Sequence, residues 1–461
     1  MTARNRMAPE RFLHHAAMAF FLLALSLPSV SRALPPNDGD RDLRYDFDGF
    51  GRKTIDPTAD LDGSALAVAC GPDGTCYAVS TSEMGGDDDF RVRRFSPTGG
   101  FVSEAAAAFQ LGGVSHDEPS AVAVQADGRV VVAGYATDAG PAGDDQQVAL
   151  ARFVPGVTTM TLDSSFSGDG KVTQNFNGLA EARAVAIGPG GEIVTVGCYL
   201  ASGPANFDIL VMRFSPSGVP DTTFDGNGVV TLGIDGGGND DDCAQGVIVQ
   251  PDGKIVVVGE SEMLSPNSQM IVFRLTASGA LDSTFAGDGI FELVLDASPG
   301  AFNSAASVTL DHLRRIVVGG GIGGAGPSRS VILRLTSAGT LDSFAVNGHF
   351  IGASGSSLAS NIAVAGPPSN RIFYSNGDSI GALTGAGVVD TSFSGDGFVP
   401  FDDPVGTDEA LTSMALAAGE PRAAGLSAFG ATQYEVIGTY FMHQIFGDDF
   451  EGGTTAAWKG W

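Results

Sequence analysis

Histidine, tryptophan and basic side chains are scarce in this chain, and each shortage closes off a class of function. Six His and two Trp occur among 461 residues, and 25 Lys plus Arg face 53 Asp plus Glu, a formal charge of −28. So acidic a surface repels phosphate backbones and anionic lipid, which argues against nucleic-acid and membrane-surface partners. Both tryptophans, Trp458 and Trp461, stand at the extreme C-terminus, so neither is expected to line a sugar-stacking cleft. No Gly-x-Ser-x-Gly elbow occurs, and no phosphate-cradling loop ends in Gly-Lys-Ser/Thr. No stretch reaches the roughly 20 apolar residues of a membrane-spanning helix.

The N-terminus does have a pattern. Arg4, Arg6 and Arg11 precede an apolar run from Ala16 to Leu27, Pro28 follows, and Ser31 and Ala33 are small residues placed for cleavage after Ala33. A positive segment, a short apolar segment and a small-residue cut predict a secretory signal over 1–33. Its removal takes four Arg and one Glu, and the formal charge moves from −28 to −31. The mature protein is expected outside the cytoplasm: secreted, periplasmic or at the cell surface. All four cysteines lie in that mature part. An oxidising compartment permits two bridges and three connectivities. Cys70 and Cys76 flank the turn Gly71-Pro72-Asp73-Gly74-Thr75, within bridging reach across a hairpin. Cys198 ends one strand and Cys243 opens the next unit, so Cys198–Cys243 is the expected second bridge.

Self-similarity organises the rest. Ala121 to Gly134 reads as a strand, an Asp-Gly turn and a second strand, and Gly246 to Gly259 repeats it. The turn recurs near Gly74, Gly128, Gly191, Gly253, Leu313, Ser369 and Glu420, giving seven units of about sixty residues. A third strand then ends in Arg-Phe or Arg-Leu (Arg94, Arg152, Arg213, Arg274, Arg334). A Phe-Gly knot follows, as in Phe166 to Gly170 and Phe285 to Gly289, and then a short fourth strand. The knot Phe is expected to plug the loop while its glycines take positive φ. Between Arg94 and His116 this knot is degenerate. Four antiparallel strands per unit, with small residues in the first, predict an all-β fold: a single seven-bladed β-propeller of four-stranded blades. The last unit lacks a knot and a fourth strand, whereas Phe47 to Ile55 matches Phe166 to Gln174. The N-terminal strand is therefore expected to complete the last blade and close the ring. The resulting domains are the signal 1–33, a linker 34–43, the propeller 44–441 and a tail 442–461.

Gln250-Pro251-Asp252-Gly253-Lys254 to Gly259, then Arg274-Leu275, Leu281-Asp282-Ser283-Thr284-Phe285 and Gly287-Asp288-Gly289, resembles the bacterial delta-60 repeat family. The resemblance covers most of residues 44–441 and implies a secreted or surface β-propeller of unassigned biochemical role, with no catalytic residues to carry over. Ile445 to Trp458 is similar to a short Phe/Trp-bearing tail at the C-termini of assorted secreted bacterial proteins, with Asp449 where that tail has Gly.

The chemistry on offer is acidic. After processing, His116, His312, His349 and His443 occupy unrelated positions and read as loop or turn residues without metal-ligand spacing. Asp87-Asp88-Asp89, Asp144-Asp145, Asp240-Asp241-Asp242, Asp402-Asp403 and Asp408-Glu409 are expected in loops on one face of the propeller. Converging carboxylates suit a hard cation. Asp87, Asp89, Asp144, Asp145, Asp402 and Asp408 are thus the candidate residues for calcium or a cationic extracellular partner. The composition supports a monomeric, non-catalytic binding or structural module. The alternative is a metal-dependent lyase or hydrolase on the same acidic face.

Overall fold

The computed structural model describes residues 52–55, 66–84, 87–97, 100–109, 111, 116–137, 146–200, 206–234, 241–263, 267–324, 326–356, 359–377, 379–393, 395–400, 408–417, 420–429 and 432–439. The described chain is all-β, without a helix, and so holds no helix long and apolar enough to cross a membrane.

Strands form antiparallel groups in chain order. The first group is Ala67–Cys70, Cys76–Met84, Asp87–Phe95 and Phe101–Ala107. In the second, Asp117–Val124, Val130–Thr137 and Gln146–Pro155 pair in sequence, and Met160–Leu162 and Lys171–Gln174 both flank Gln146–Pro155. Leu179–Ile187, Ile193–Leu200, Asp208–Phe214 and Val229–Leu232 make the third group. A single parallel pairing of Leu179 with Gln146 merges the second and third into one nine-stranded sheet. Asp242–Val249, Ile255–Glu262, Ser268–Leu275 and Ile290–Leu293 are the fourth group. The fifth comprises Phe302–Leu310, Ile316–Gly323, Arg329–Leu335 and His349–Ile351, and the sixth Ile362–Val364, Ile372–Ser375, Ser379–Leu383 and Phe398–Pro400. Finally, Asp408–Ala417, Glu420–Phe429 and Thr432–Thr439 pair in order, and Arg52–Ile55 adds to the outer edge, with Arg52 opposite Gly438 and Ile55 opposite Glu435.

Local sequence explains the hairpins. At Gln125-Ala126-Asp127-Gly128-Arg129 the Gly128 amide donates to the Gln125 carbonyl at 2.9 Å, and the Gln125 amide to that of Arg129 at 2.8 Å. Gly128 sits at φ +84°, which a side chain resists. A second glycine is fixed by close approach. The first strand bulges between Pro119 and Ala121, and a Cβ on Gly134 opposite would lie 2.0 Å from the Glu118 carbonyl oxygen. The same clash would arise at Gly197 with Glu181, at Gly259 with Cys243 and at Gly320 with Ser304.

The core lies between consecutive groups. Val131, Leu150 and Phe166 of the second pack with Ala182, Leu210 and Phe214 of the third. Val194, Ile209 and Phe224 pack with Val247, Val257 and Phe273 of the fourth. Val256, Val272 and Phe285 meet Ala305, Val318 and Leu333, and Val317, Ile332 and Phe344 meet Ile362 and Tyr374. Phe373, Ala382 and Phe393 then pack on Met414 of the last group. Val68 and Ala78 of the first group share a cluster with Ala415, and the Val68 amide donates to Ser413 Oγ at 3.0 Å. Side chains alternate across each sheet, so a group buries both faces only by meeting a neighbour on each side.

Both expected disulfides form. Cys70–Cys76 spans its hairpin with Cα atoms 4.0 Å apart, and Cys198–Cys243 joins the third group to the fourth at 4.9 Å.

Two sequence expectations are corrected. Asp87, Asp88 and Asp89 open a strand and pair with Met84, Glu83 and Ser82, and Asp408 likewise begins a strand, because the hairpin ladders continue past the apolar residues. Asp242 is 1% exposed and accepts the Ile234 amide at 2.5 Å, as Asp117 accepts that of Phe109 at 2.6 Å. A buried acceptor for an otherwise orphaned amide is a folding device, so Asp242 does not belong to an acidic surface.

Candidate functional site

Two ends of the strand groups carry polar chemistry. At the turn end, the third-strand arginine of one group clasps the next. Arg274 is 5% exposed; its Nε donates to Asp282 Oδ2 at 2.7 Å, its Nη2 to Thr284 Oγ1 at 3.1 Å and its Nη1 to the Ser337 carbonyl at 2.6 Å. The guanidinium lies 4.8 Å from the centre of the fully buried Phe285 ring. Lys254 adds a second cation to Asp282 at 2.9 Å. Arg152 repeats this with Asp163, Ser165, Phe166 and the Pro216 carbonyl, and Arg213 with Asp221, Thr223, Phe224 and that of Ala277. Arg334 does so with Asp342, Phe344 and Gly385. In the sixth group Ala382 holds the arginine position, and Arg371 reaches Asp390 at 2.6 Å instead. Burial pushes the Asp282 carboxyl up, but hydrogen bonds from Thr284 and Lys254 and the Arg274 charge outweigh it and hold the group well below the usual carboxylate range. With every donor matched inside the protein, this array is a latch between repeats.

The loop end of the first three groups is different, because ionisable side chains gather there without being consumed by packing. Glu118 and Glu181 hold the same place in successive first strands, each opposite the second-strand residue that follows the close-approach glycine. The corresponding residues farther along are Cys243 and Ser304. Tyr135, opposite Glu118, donates its hydroxyl to Glu118 Oε2 at 2.6 Å. Burial raises the Glu118 carboxyl, Tyr135 opposes that, and the charges of Glu181 and Asp88 raise it further. The Tyr135 hydroxyl is itself pushed far up by burial and by the Glu118 charge. Glu181 takes Arg183 Nε at 2.5 Å and Gln146 Nε2 at 3.4 Å. His116 pairs through Nδ1 with Asp88 Oδ2 at 2.8 Å, the two side chains being 66% and 29% exposed. Three carboxylates therefore share one electrostatic neighbourhood, with Tyr135 and His116 beside them.

Of the acidic residues singled out in the sequence, Asp144, Asp145 and Asp402 lie outside the described residues, as do the side chains of Asp87 and Asp408. Asp89 is half-buried in its strand. Asp88, Glu118, Glu181 and His116 are what the fold brings together instead. The 63-residue interval between the two glutamates equals that between Gly128 and Gly191, and this was the available signal. Among the described residues no three His, Cys, Asp or Glu side chains group closely enough to hold a metal ion.

Three stretches, 125–155, 250–285 and 314–344, match the family described as a domain of unknown function (DUF5122) beta-propeller. The chain is thus an all-β protein carrying a β-propeller domain. No curated protein matches the sequence. Among solved structures, polysaccharide lyase Uly1 superposes with a TM-score of 0.50 at 13% identity, over 82% of this chain and 90% of that one. Sqt1 of Chaetomium thermophilum bound to the N-terminus of ribosomal protein L10 gives 0.42 at 12% identity, over 83% and 98%. The Trypanosoma rangeli sialidase gives 0.36 at 10%, over 82% and 54%. At 13% identity the likeness to Uly1 is one of fold alone.

Proposed function

We propose that the chain is exported through the signal 1–33, with 34–43 as linker and 442–461 as tail, and works outside the cytoplasm as a non-catalytic binding module. In this reading 44–441 form one seven-bladed propeller of four-stranded blades, and Arg52–Ile55 completes the seventh blade. Apolar clusters run from each group to the next and from the last back to the first, which supports closure. The ligand is cationic and sits at the loop end of the first three blades.

One observation carries the ligand assignment. Burial and then the charges of Glu181 and Asp88, contributed by the neighbouring groups, raise the proton affinity of Glu118, so a cation that offsets those charges is bound favourably. Asp87, Asp89, Asp144, Asp145, Asp402 and Asp408 form the proposed rim of that surface, where calcium competes with an organic cation. Catalysis is the weaker reading, because a tyrosine held far above neutrality cannot serve as a base near pH 7.

Calorimetry with a tetralysine peptide, with calcium chloride and with a chelator tests this. Heat with either cation, weakening as salt rises and falling at least tenfold in Glu118→Gln/Glu181→Gln, is the expected result. No heat with either, or heat unchanged in the double variant, refutes it.

A further inference from the structure

The latch at the turn end is incomplete at one place. Arg94 occupies the position of Arg152, Arg213, Arg274 and Arg334, and its Nη1 makes the same contact with the next group, 2.5 Å from the Gly156 carbonyl. In the other repeats the chain then supplies an aspartate, eight residues on at Asp221, Asp282 and Asp342, or eleven at Asp163. The first group turns back within Ser96 to Gly100, and the strand Phe101–Ala107 covers both offsets, at Val102 and Ala105. Arg94 has therefore kept its clasp and lost its carboxylate.

The side chains around it record that loss. Arg94 Nε is buried and has no hydrogen-bond partner among the described residues, where Nε of Arg152, Arg213, Arg274 and Arg334 meets an aspartate at 2.7–2.8 Å. Ser103 is paired directly opposite Arg94, so it shares the same sheet face, and its buried hydroxyl is likewise unpartnered among the described residues. In three of the complete latches, those of Asp163, Asp221 and Asp282, a Ser or Thr hydroxyl donates to the second oxygen of the aspartate, as Thr284 does to Asp282 at 2.6 Å. On the other flank Tyr77 pairs with Arg94 and is hydrogen-bonded to it. The acidic neighbours are committed elsewhere: Asp73 accepts the Thr75 amide and hydroxyl at 3.0 and 2.9 Å, and Asp127 pairs with Arg129. A pocket of ≈ 320 Å³ opens here, and these two aspartates line it together with Tyr77, Arg94, Arg129 and Val154.

We propose that Arg94, flanked by Ser103 and Tyr77, binds the carboxylate of an external ligand in the position that an internal aspartate fills in the sister repeats. A guanidinium edge beside a hydroxyl presents two donors to the two oxygens of one carboxylate, the geometry that the protein itself uses in its complete latches. A neutral or tetrahedral group matches it poorly. The ligand class is a carboxylate on a small, otherwise neutral body, and an acidic peptide side chain and a sugar acid are its two sources.

The test follows the Arg94 Nε–H resonance and the melting temperature of the intact protein during titration with N-acetyl-L-aspartate and D-glucuronate. N-acetyl-L-asparagine, D-glucose and sulfate serve as controls. The expected result is a saturable millimolar response to carboxylates, at least tenfold weaker in Arg94→Gln, and the tighter of the two carboxylates identifies the source. Ser103→Asp supplies the missing carboxylate within the chain. It should raise the melting temperature and abolish the response, and it remains informative should Arg94→Gln fail to fold. An equal response to the amide or to sulfate, a response undiminished in Arg94→Gln, or a Ser103→Asp protein that still responds overturns the proposal.

Discussion

Replacing Asp282 with Ala removes one carboxylate and strands two cations. Asp282 is 5% exposed and accepts from Arg274 at 2.7 Å, Lys254 at 2.9 Å and Thr284 at 2.6 and 3.1 Å. Arg274 stays buried on the Phe285 ring with only the Ser337 carbonyl and Thr284 to satisfy it. Breaking a buried pair from one side costs about 3–5 kcal/mol, and the Ser337 contact that Arg274 keeps favours the lower half of that range. The proposed propeller, about 400 residues, would have a melting entropy near 0.8 kcal/mol/K at roughly 2.1 cal/mol/K per residue, so a loss of about 3–4 kcal/mol lowers Tm by about 4–5 °C. Calorimetric scans at pH 7 measure this against Asp127→Asn, whose side chain is 51% exposed and pairs with a 39% exposed Arg129. That exposed pair is expected to contribute well under about 1 kcal/mol. Acid provides a second reading of the same physics. Burial raises Asp163, Asp221, Asp282, Asp342 and Asp390, but hydrogen bonds and arginine charges prevail and hold all five below the ordinary value of 3.8. A carboxyl with a depressed folded pKa contributes stability that is full above its unfolded pKa and disappears as pH falls through the folded one. Wild type should therefore lose stability steadily below about pH 4, and Asp282→Ala should lose less over that interval. A Tm change no larger than that of Asp127→Asn, or an acid limb as steep as that of wild type, refutes the latch as a source of stability.

The two disulfides should differ in worth. Cys198–Cys243 closes 45 residues and Cys70–Cys76 only 6, so loop entropy assigns them about 4 and about 2 kcal/mol. Paired Cys→Ser variants, unfolded in urea, should rank in that order, and the reverse order would count against it. Deleting residues 34–56 removes the partner of Thr432–Thr439 and opens a sheet edge, so the melting temperature should fall markedly; an unchanged melting curve would contradict closure.

The repeat was legible because its hairpins are local. An Asp-Gly turn between two apolar runs declares itself within fourteen residues, and Val130 to Gly134 and Ile255 to Gly259 fold as read. The latch was only half legible. The Arg-Leu pair and the Leu-Asp-Ser-Thr-Phe run both stood out as markers, and Phe285 is the buried plug they suggested. What Arg274 does was hidden, since its last partner, the Ser337 carbonyl, is 63 residues away and is a backbone atom with no sequence signature.

The acidic surface was legible only in part, for a different reason. A run of aspartates looks like a cluster in sequence, but once Asp87 to Asp89 join a strand, neighbours alternate between its faces. Asp88 then falls on the face opposite to Asp89, and it is Asp88, outside the candidate set, that meets His116. Convergence comes instead from single residues at one level of successive strands, Glu118 and Glu181, which no local run reveals. The next residue at that level is Cys243, tied back to Cys198, which itself pairs with Glu181. The covalent link therefore fixes the neighbour of the last acidic position, and the glutamate pair lies on the side of it nearer the first group. In a repeat protein, departures from the consensus carry the chemistry: two glutamates where later units have Cys and Ser, and one arginine from which a turn took its aspartate.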